Sequence, residues 1–197
     1  MAIVKIHPQR IVGNWKSGVA LDFHTTSSTP IGHNEYGHMQ FDMVRPEIAE
    51  LLYKLKYHSD QQASGSIIHT VVDFLGQHLS KFDVIIPVPP STERAIQPVL
   101  VLATGIGNAL GVPVLSCVTT TRPTTQLKGV TDQTERKALL DGLYAVDRAY
   151  TRGKHILLFD DLFRSGATMN AITDLLLAKG HAATVRALTI TRTRSNQ

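Results

Sequence analysis

The stretch His155–Asn170, HILLFDDLFRSGATMN, decides the fold of this chain. Four apolar residues, Ile156 to Phe159, run straight into two adjacent carboxylates, Asp160 and Asp161. A short turn follows, Arg164-Ser165-Gly166-Ala167-Thr168, and opens a helix. A short apolar run bounded by a turn reads as a buried strand. An uncompensated carboxylate at the end of such a strand costs several kcal/mol, so a pair of them needs a reason. Capping by Ser165 or Asp161, with chain reversal at Gly166, accounts for one acid or hydroxyl. It does not account for two adjacent acids.

Working outward, Ala167 to Lys179 carries Ile172, Leu175, Leu176 and Leu177 as a helix, Gly180 stops it, and ATVRALTI is the next strand. Upstream, FDVIIPVP is a β-branched run stopped by prolines. Gln97 to Leu110 places Val99, Leu102, Ala103, Ile106 and Leu110 at helical spacing, and VPVLSCV reads as a further strand. Strands that are apolar throughout, separated by helices, indicate an α/β fold: a mostly parallel sheet with helices on both faces. In such sheets the strand-to-helix turns gather at the carboxyl ends of the strands and form a ligand crevice. Asp160 and Asp161 belong there. Gly166, the hydroxyls of Ser165 and Thr168 and the free amides of a helix N-terminus make a phosphate cradle beside them. Acids for hydroxyls next to amides for phosphate suit a phosphorylated sugar.

Before Asp83 the pattern changes. Ile48, Leu51, Leu52 and Leu55 predict an amphipathic helix from Pro46, and Ile68, Val71, Val72, Leu75 and Leu79 a second. Residues 13–42 have turn-like spacing and predict short antiparallel strands or a hairpin. The expected organisation is one compact domain: residues 1–82 as an N-terminal elaboration capping one sheet edge, and 83–197 as the core. Trp15, Phe23, Tyr36 and Phe41 are expected to form the small core of that cap. Residues 118–134 hold seven threonines and almost no apolar side chains, the composition of a loop that closes as a lid.

The 197 residues are 43% apolar and 18% charged, ordinary for a globular protein. No signal-peptide core or membrane-length apolar run occurs, so a cytoplasmic protein without membrane contact is expected. The single Cys117 excludes an intramolecular disulfide and a four-cysteine zinc ribbon, and in VPVLSCV it reads as a small buried hydrophobe. The net charge of +4 favours anionic partners, but the basic residues form no stripe, which disfavours nucleic acid. His24, His33 and His38 fit no compact metal motif. TGIGNALG lies in a helical segment, not after a strand, and fails the dinucleotide context.

ILLFDDLFRSGATMNAI closely resembles the phosphoribosyl pyrophosphate signature of type I phosphoribosyltransferases, in which two acids precede a Thr-Gly-x-Thr turn. Arg164 and Ser165 stand at the threonine positions before the signature's glycine, and Ser165 keeps a hydroxyl. The wider resemblance, over residues 50–192, is to the ComF-like phosphoribosyltransferases. It is carried in order by LLYKLKYHSD, IIPVPPS, TQLK, ERKALLDGLYAV and the signature. This implies the type I phosphoribosyltransferase fold and a Mg²⁺-dependent enzyme. Such an enzyme transfers phosphoribose from phosphoribosyl pyrophosphate to a nitrogen acceptor, a base or amine, and releases pyrophosphate. The resemblance further implies that Asp160 and Asp161 hold the ribose hydroxyls, with Mg²⁺ near them on the substrate. Arg164, Ser165, Gly166, Ala167 and Thr168 would bind the 5-phosphate, and Pro87, Val88, Pro89, Pro90 and Ser91 would form the pyrophosphate loop. Lys128, with Arg122, Gln126 and Arg136, would pair with pyrophosphate from the closing loop. A homodimer is an open expectation. Two alternatives stand beside the enzyme: a phosphoribosyl pyrophosphate or nucleotide-binding regulator without catalysis, and a ComF-like accessory of DNA uptake.

Overall fold

The computed structural model describes residues 2–78, 82–91, 96–123 and 138–194. Its centre is a five-stranded sheet built from β1 (Gln9–Arg10), β2 (Ser17–Phe23), β5 (Val84–Pro87), β8 (His155–Phe163) and β9 (Thr184–Arg192). The order is β1-β2-β9-β8-β5; β1 runs antiparallel to β2 and all other pairs are parallel. The expected α/β fold with a mostly parallel sheet is therefore present.

Helices cover both faces because the strands are apolar on both. On β8, Ile156 and Leu158 enter one apolar cluster while Leu157 and Phe159 enter the other. The second cluster is closed by α1 (Glu47–His58), α2 (Gln61–His78) and α3 (Pro98–Leu110), which contribute Ile48, Leu52, Ile67, Val71, Leu102 and Ile106. The first is closed by α4 (Ala167–Ala178), through Met169, Ile172 and Leu176, and by the antiparallel pair β6 (Val118–Thr120) and β7 (Tyr144–Val146). A 3-10 turn, Arg148–Tyr150, leads from β7 to β8.

The N-terminal third departs from expectation. Residues 17–23 are not part of a cap hairpin: β2 lies in the main sheet beside β9, with Ala20 and Leu21 fully buried in opposite clusters. A strand with apolar side chains on both faces is most stable inside a covered sheet, whatever the turn signals around it. The hairpin exists further along, as β3 (Ser27–His33) and β4 (Met39–Val44), and it is exposed throughout. The four aromatics do not share one small core. Trp15 is buried against Phe163, whereas Tyr36 and Phe41 are 77% and 46% exposed on the hairpin.

Of the strand expected over 112–118, Val118 opens β6 and the rest is reduced to a single parallel bridge, Val114 to Ile85. The carbonyl of Pro113 accepts from Ile85 N–H at 2.9 Å and Leu115 N–H donates to Ile85 at 3.0 Å, but proline has no N–H to extend the ladder. Cys117 is half-buried against the first cluster, and burial pushes its thiol pKa up, as expected of an unreactive cysteine. Among the described residues no helix is long and apolar enough to cross a membrane.

Candidate functional site at the end of the sheet

β8 continues through the acid pair to Phe163, four residues beyond the apolar run. Asp160 lies in register with Thr189 of β9, and Leu162 and Phe163 with Thr191 and Arg192. The extension is held by packing, since Phe163 meets the Trp15 ring edge-to-face at 6.1 Å.

Side chains alternate across a strand. Asp160 thus continues the face of Leu158, toward α4, and Asp161 that of Phe159, toward α1. In the last turn of α1, Lys56 Nζ meets Asp161 Oδ2 at 2.8 Å, with the two side chains only 13% and 15% exposed. Asp160 Oδ1 accepts from the Asp161 amide at 2.8 Å. Burial, and then the neighbouring Asp161 charge, push the Asp160 carboxyl up to about 8, against the smaller pulls of that amide and Lys56. Burial thus favours the neutral, donating form of Asp160, while Lys56 holds the neighbouring Asp161 as an acceptor. A vicinal diol offers a donor and an acceptor on each oxygen and matches this pairing. Next to Asp160, the buried Thr189 Oγ1 has no hydrogen-bond partner among the described residues.

The turn after β8 requires glycine. Gly166 has φ +75°, and a Cβ there would sit 2.8 and 2.9 Å from atoms of the Phe163 ring. α4 starts on it with no side-chain cap; Ser165 Oγ takes only a long 3.4 Å contact from Ala167 N–H. The first amides of α4, with the hydroxyls of Ser165 and Thr168 nearby in sequence, remain open to an anion.

The Pro87–Ser91 segment leaves β5 next to β8. Pro87 ends the strand, and the buried Val88 donates its N–H to the Phe159 carbonyl at 2.8 Å. Arg122 is held by carbonyls, those of Leu139 at 2.8 Å and Asp141 at 3.1 Å, at the root of the threonine-rich loop. Lys128, Gln126 and Arg136 lie outside the described residues.

Sequence spacing misses three further residues. Lys56 comes from α1, 105 positions before Asp161 in the numbering, although it lies inside the LLYKLKYHSD stretch. His24, at the exit of β2, donates from Nδ1 to Thr191 Oγ1 at 3.2 Å, and Thr191 Oγ1 donates to the Asp161 carbonyl at 3.3 Å. Burial, then the cations Lys56 and Arg45, lower the His24 pKa, with Asp161 opposing and Arg164 assisting. The imidazole is neutral at pH 7. No one-dimensional signal joins these residues, because three strands and a helix bring them together. Among the described residues no group of three or more His, Cys, Asp or Glu side chains is arranged to hold a metal.

No protein-family model matches the sequence, and no curated protein matches it. Solved structures do. The chain is similar to an adenine phosphoribosyltransferase, at 13% identity over 84% of each chain with a TM-score of 0.52. It also matches the orotate phosphoribosyltransferase of Aeropyrum pernix, at 17% identity over 83% of this chain and 76% of that one with a TM-score of 0.48. A third match is the glutamine phosphoribosylpyrophosphate amidotransferase of B. subtilis, at 19% identity over 80% of this chain and 34% of that one with a TM-score of 0.49. The first of these, together with the helix-covered and mostly parallel sheet, identifies the fold as that of the type I phosphoribosyltransferases.

Proposed function

We propose that this chain is a ComF-like phosphoribosyltransferase, which takes phosphoribosyl pyrophosphate as donor and a nitrogen base or amine as acceptor. The observation that carries the reading is the adjacent acid pair Asp160 and Asp161 at the carboxyl end of β8, with Lys56 on Asp161, followed directly by the glycine turn into α4. The acids suit a ribose diol, and the turn five residues further along the chain suits its 5-phosphate. In this reading residues 83–197 carry the donor-binding turns, and residues 1–82 complete the same sheet and its helical cover.

The reaction breaks the bond from the anomeric carbon to the pyrophosphate oxygen, whose electron pair leaves with pyrophosphate. The nitrogen lone pair forms the new bond, and the nitrogen then releases its proton to solvent. Positive charge grows on the ribose ring meanwhile, and the ionised Asp161 at the ring hydroxyls favours it. Asp160 donates to the adjacent hydroxyl and fixes the ring. The amides after Gly166, with Arg164, Ser165 and Thr168, anchor the 5-phosphate. Pro87–Ser91 and the cationic side chains Lys128, Arg122 and Arg136, with Gln126, receive the pyrophosphate. Mg²⁺, bound to the diphosphate oxygens, would neutralise charge on the leaving group.

Pyrophosphate release from phosphoribosyl pyrophosphate, followed over a panel of bases and amines, tests this directly. Acceptor-dependent release is expected. A second reading, a regulator that binds the donor without transfer, is favoured by one observation: Lys56 already neutralises Asp161. Donor binding with no release across the whole panel would select it.

A further inference from the structure

Resting on the transferase reading, we propose that Arg45 and Lys56 line the acceptor subsite, at the β2 and β9 end of the sheet, and that the acceptor carries a carboxylate beside its nucleophilic nitrogen.

The strand order places the subsite. Pro87–Ser91 leaves β5 on one flank of β8, and β9 and β2 lie on the other. With the ribose at the end of β8 and the pyrophosphate on the β5 side, a nucleophile attacking opposite the leaving group arrives over the ends of β9 and β2. His24 and Thr191 stand there. The hairpin adds Arg45 to them. Thr26 N–H and its hydroxyl both donate to the Val44 carbonyl, at 2.8 and 3.1 Å, so the base of the hairpin is closed and Arg45 follows directly beside it.

Arg45 has an edge to spare. Its Nη1 meets Glu50 at 3.6 Å, and its guanidinium stacks over the Tyr53 ring with Cζ 4.4 Å from the centroid. Among the described residues the opposite edge is unused: Nε is buried with no hydrogen-bond partner, and Nη2 reaches only the Met43 sulfur at 3.8 Å. Nε and Nη2 are the two donors that grip a carboxylate as a fork. Met43 is exposed and unbranched, so it can swing off that edge. Stacking on Tyr53 fixes the plane of the fork in advance.

The charges agree. Arg45, Lys56 and Arg164 all lie near enough to depress the His24 pKa, and Asp161 is the acid that opposes them. Against Arg45, Lys56 and Arg164 stand Asp161 and, on Arg45, Glu50; with burial favouring the neutral form of Asp160, positive charge exceeds negative before the ligand enters. A neutral base leaves that excess uncompensated, and an anionic one removes it.

The test compares two nucleotides that differ by one carboxylate, uridine 5′-monophosphate and its 6-carboxyl form orotidine 5′-monophosphate. Neither contains pyrophosphate, so the leaving-group site is not probed. Each is titrated by calorimetry into wild type and Arg45→Gln, with ribose 5-phosphate as a third ligand. The carboxylated nucleotide is expected to bind wild type about tenfold or more tightly than its twin. In Arg45→Gln the ratio should fall to about threefold or less. A ratio taken within one protein is unaffected by partial misfolding of a variant. Ribose 5-phosphate binding with a wild-type ratio near one overturns this inference alone, and so does a ratio that survives Arg45→Gln. Failure of ribose 5-phosphate to bind wild type overturns the transferase reading as well.

Discussion

Replacing Lys56 with glutamine isolates the contact that ties α1 to the acid pair. In the native chain Lys56 Nζ is 2.8 Å from Asp161 Oδ2, and the two side chains are 13% and 15% exposed. Removing one partner of a fully buried pair costs about 3–5 kcal/mol, because the survivor is left charged and unpaired. The residual exposure lets water reach Asp161, which brings the expected cost to about 2 kcal/mol. In a chain of 197 residues each kcal/mol is worth about 2–4 °C of melting temperature, so Lys56→Gln should melt about 4–8 °C lower. Asp161→Asn leaves Lys56 unpaired but also removes the like charge beside Asp160, and should cost less. The double variant should recover much of the loss, with a coupling energy of about 1–2 kcal/mol in the thermodynamic cycle. Thermal melts of the four proteins by circular dichroism at pH 7 give the answer. Two single effects that simply add would refute the pairing, as would an unchanged melting temperature in Lys56→Gln.

Further expectations concern the same end of the sheet. Because the Asp160 carboxyl sits at about 8, the folded chain keeps a proton that the unfolded chain releases near pH 4. Stability should therefore fall as pH rises from about 4 through about 8, and Asp160→Asn should flatten that slope in urea titrations; parallel slopes would contradict it. Gly166→Ala forces φ +75° on an alanine and drives its Cβ into the Phe163 ring. It should cost about 2 kcal/mol or more and abolish ribose 5-phosphate binding, so a wild-type melt would count against the turn. Ser165→Ala removes only a long contact at an exposed position. Its melting should shift by less than about 0.5 kcal/mol while ribose 5-phosphate affinity falls about three- to tenfold; unchanged affinity would remove Ser165 from the phosphate cradle.

The fold was legible where one physical signal acted alone. HILLF and ATVRALTI are apolar on both faces, and α1, α3 and α4 show the 3.6-residue spacing of helices packed on one side. The acid pair and its glycine turn were legible because charge after a buried strand is costly and therefore informative. β2 was hidden because its seven residues lie among turn-forming neighbours, and only the partner β9 makes it a strand. The strand around Val114 was overread because proline-flanked apolar residues look the same whether or not a ladder forms. His24, Arg45 and Lys56 had no spacing to betray them. Their meeting around His24 comes from the parallel pairing of β2 with β9 and the packing of α1 on that sheet.

The central claim is that the end of β8 binds a phosphorylated ribose through its two acids. Calorimetric titration of phosphoribosyl pyrophosphate, with and without Mg²⁺, into wild type and the Asp160→Asn, Asp161→Asn double variant tests it most directly. Saturable binding to wild type, strengthened by Mg²⁺, is expected, and its loss in a variant that keeps a native circular dichroism spectrum. Absence of binding to wild type, or equal binding to both proteins, would contradict it.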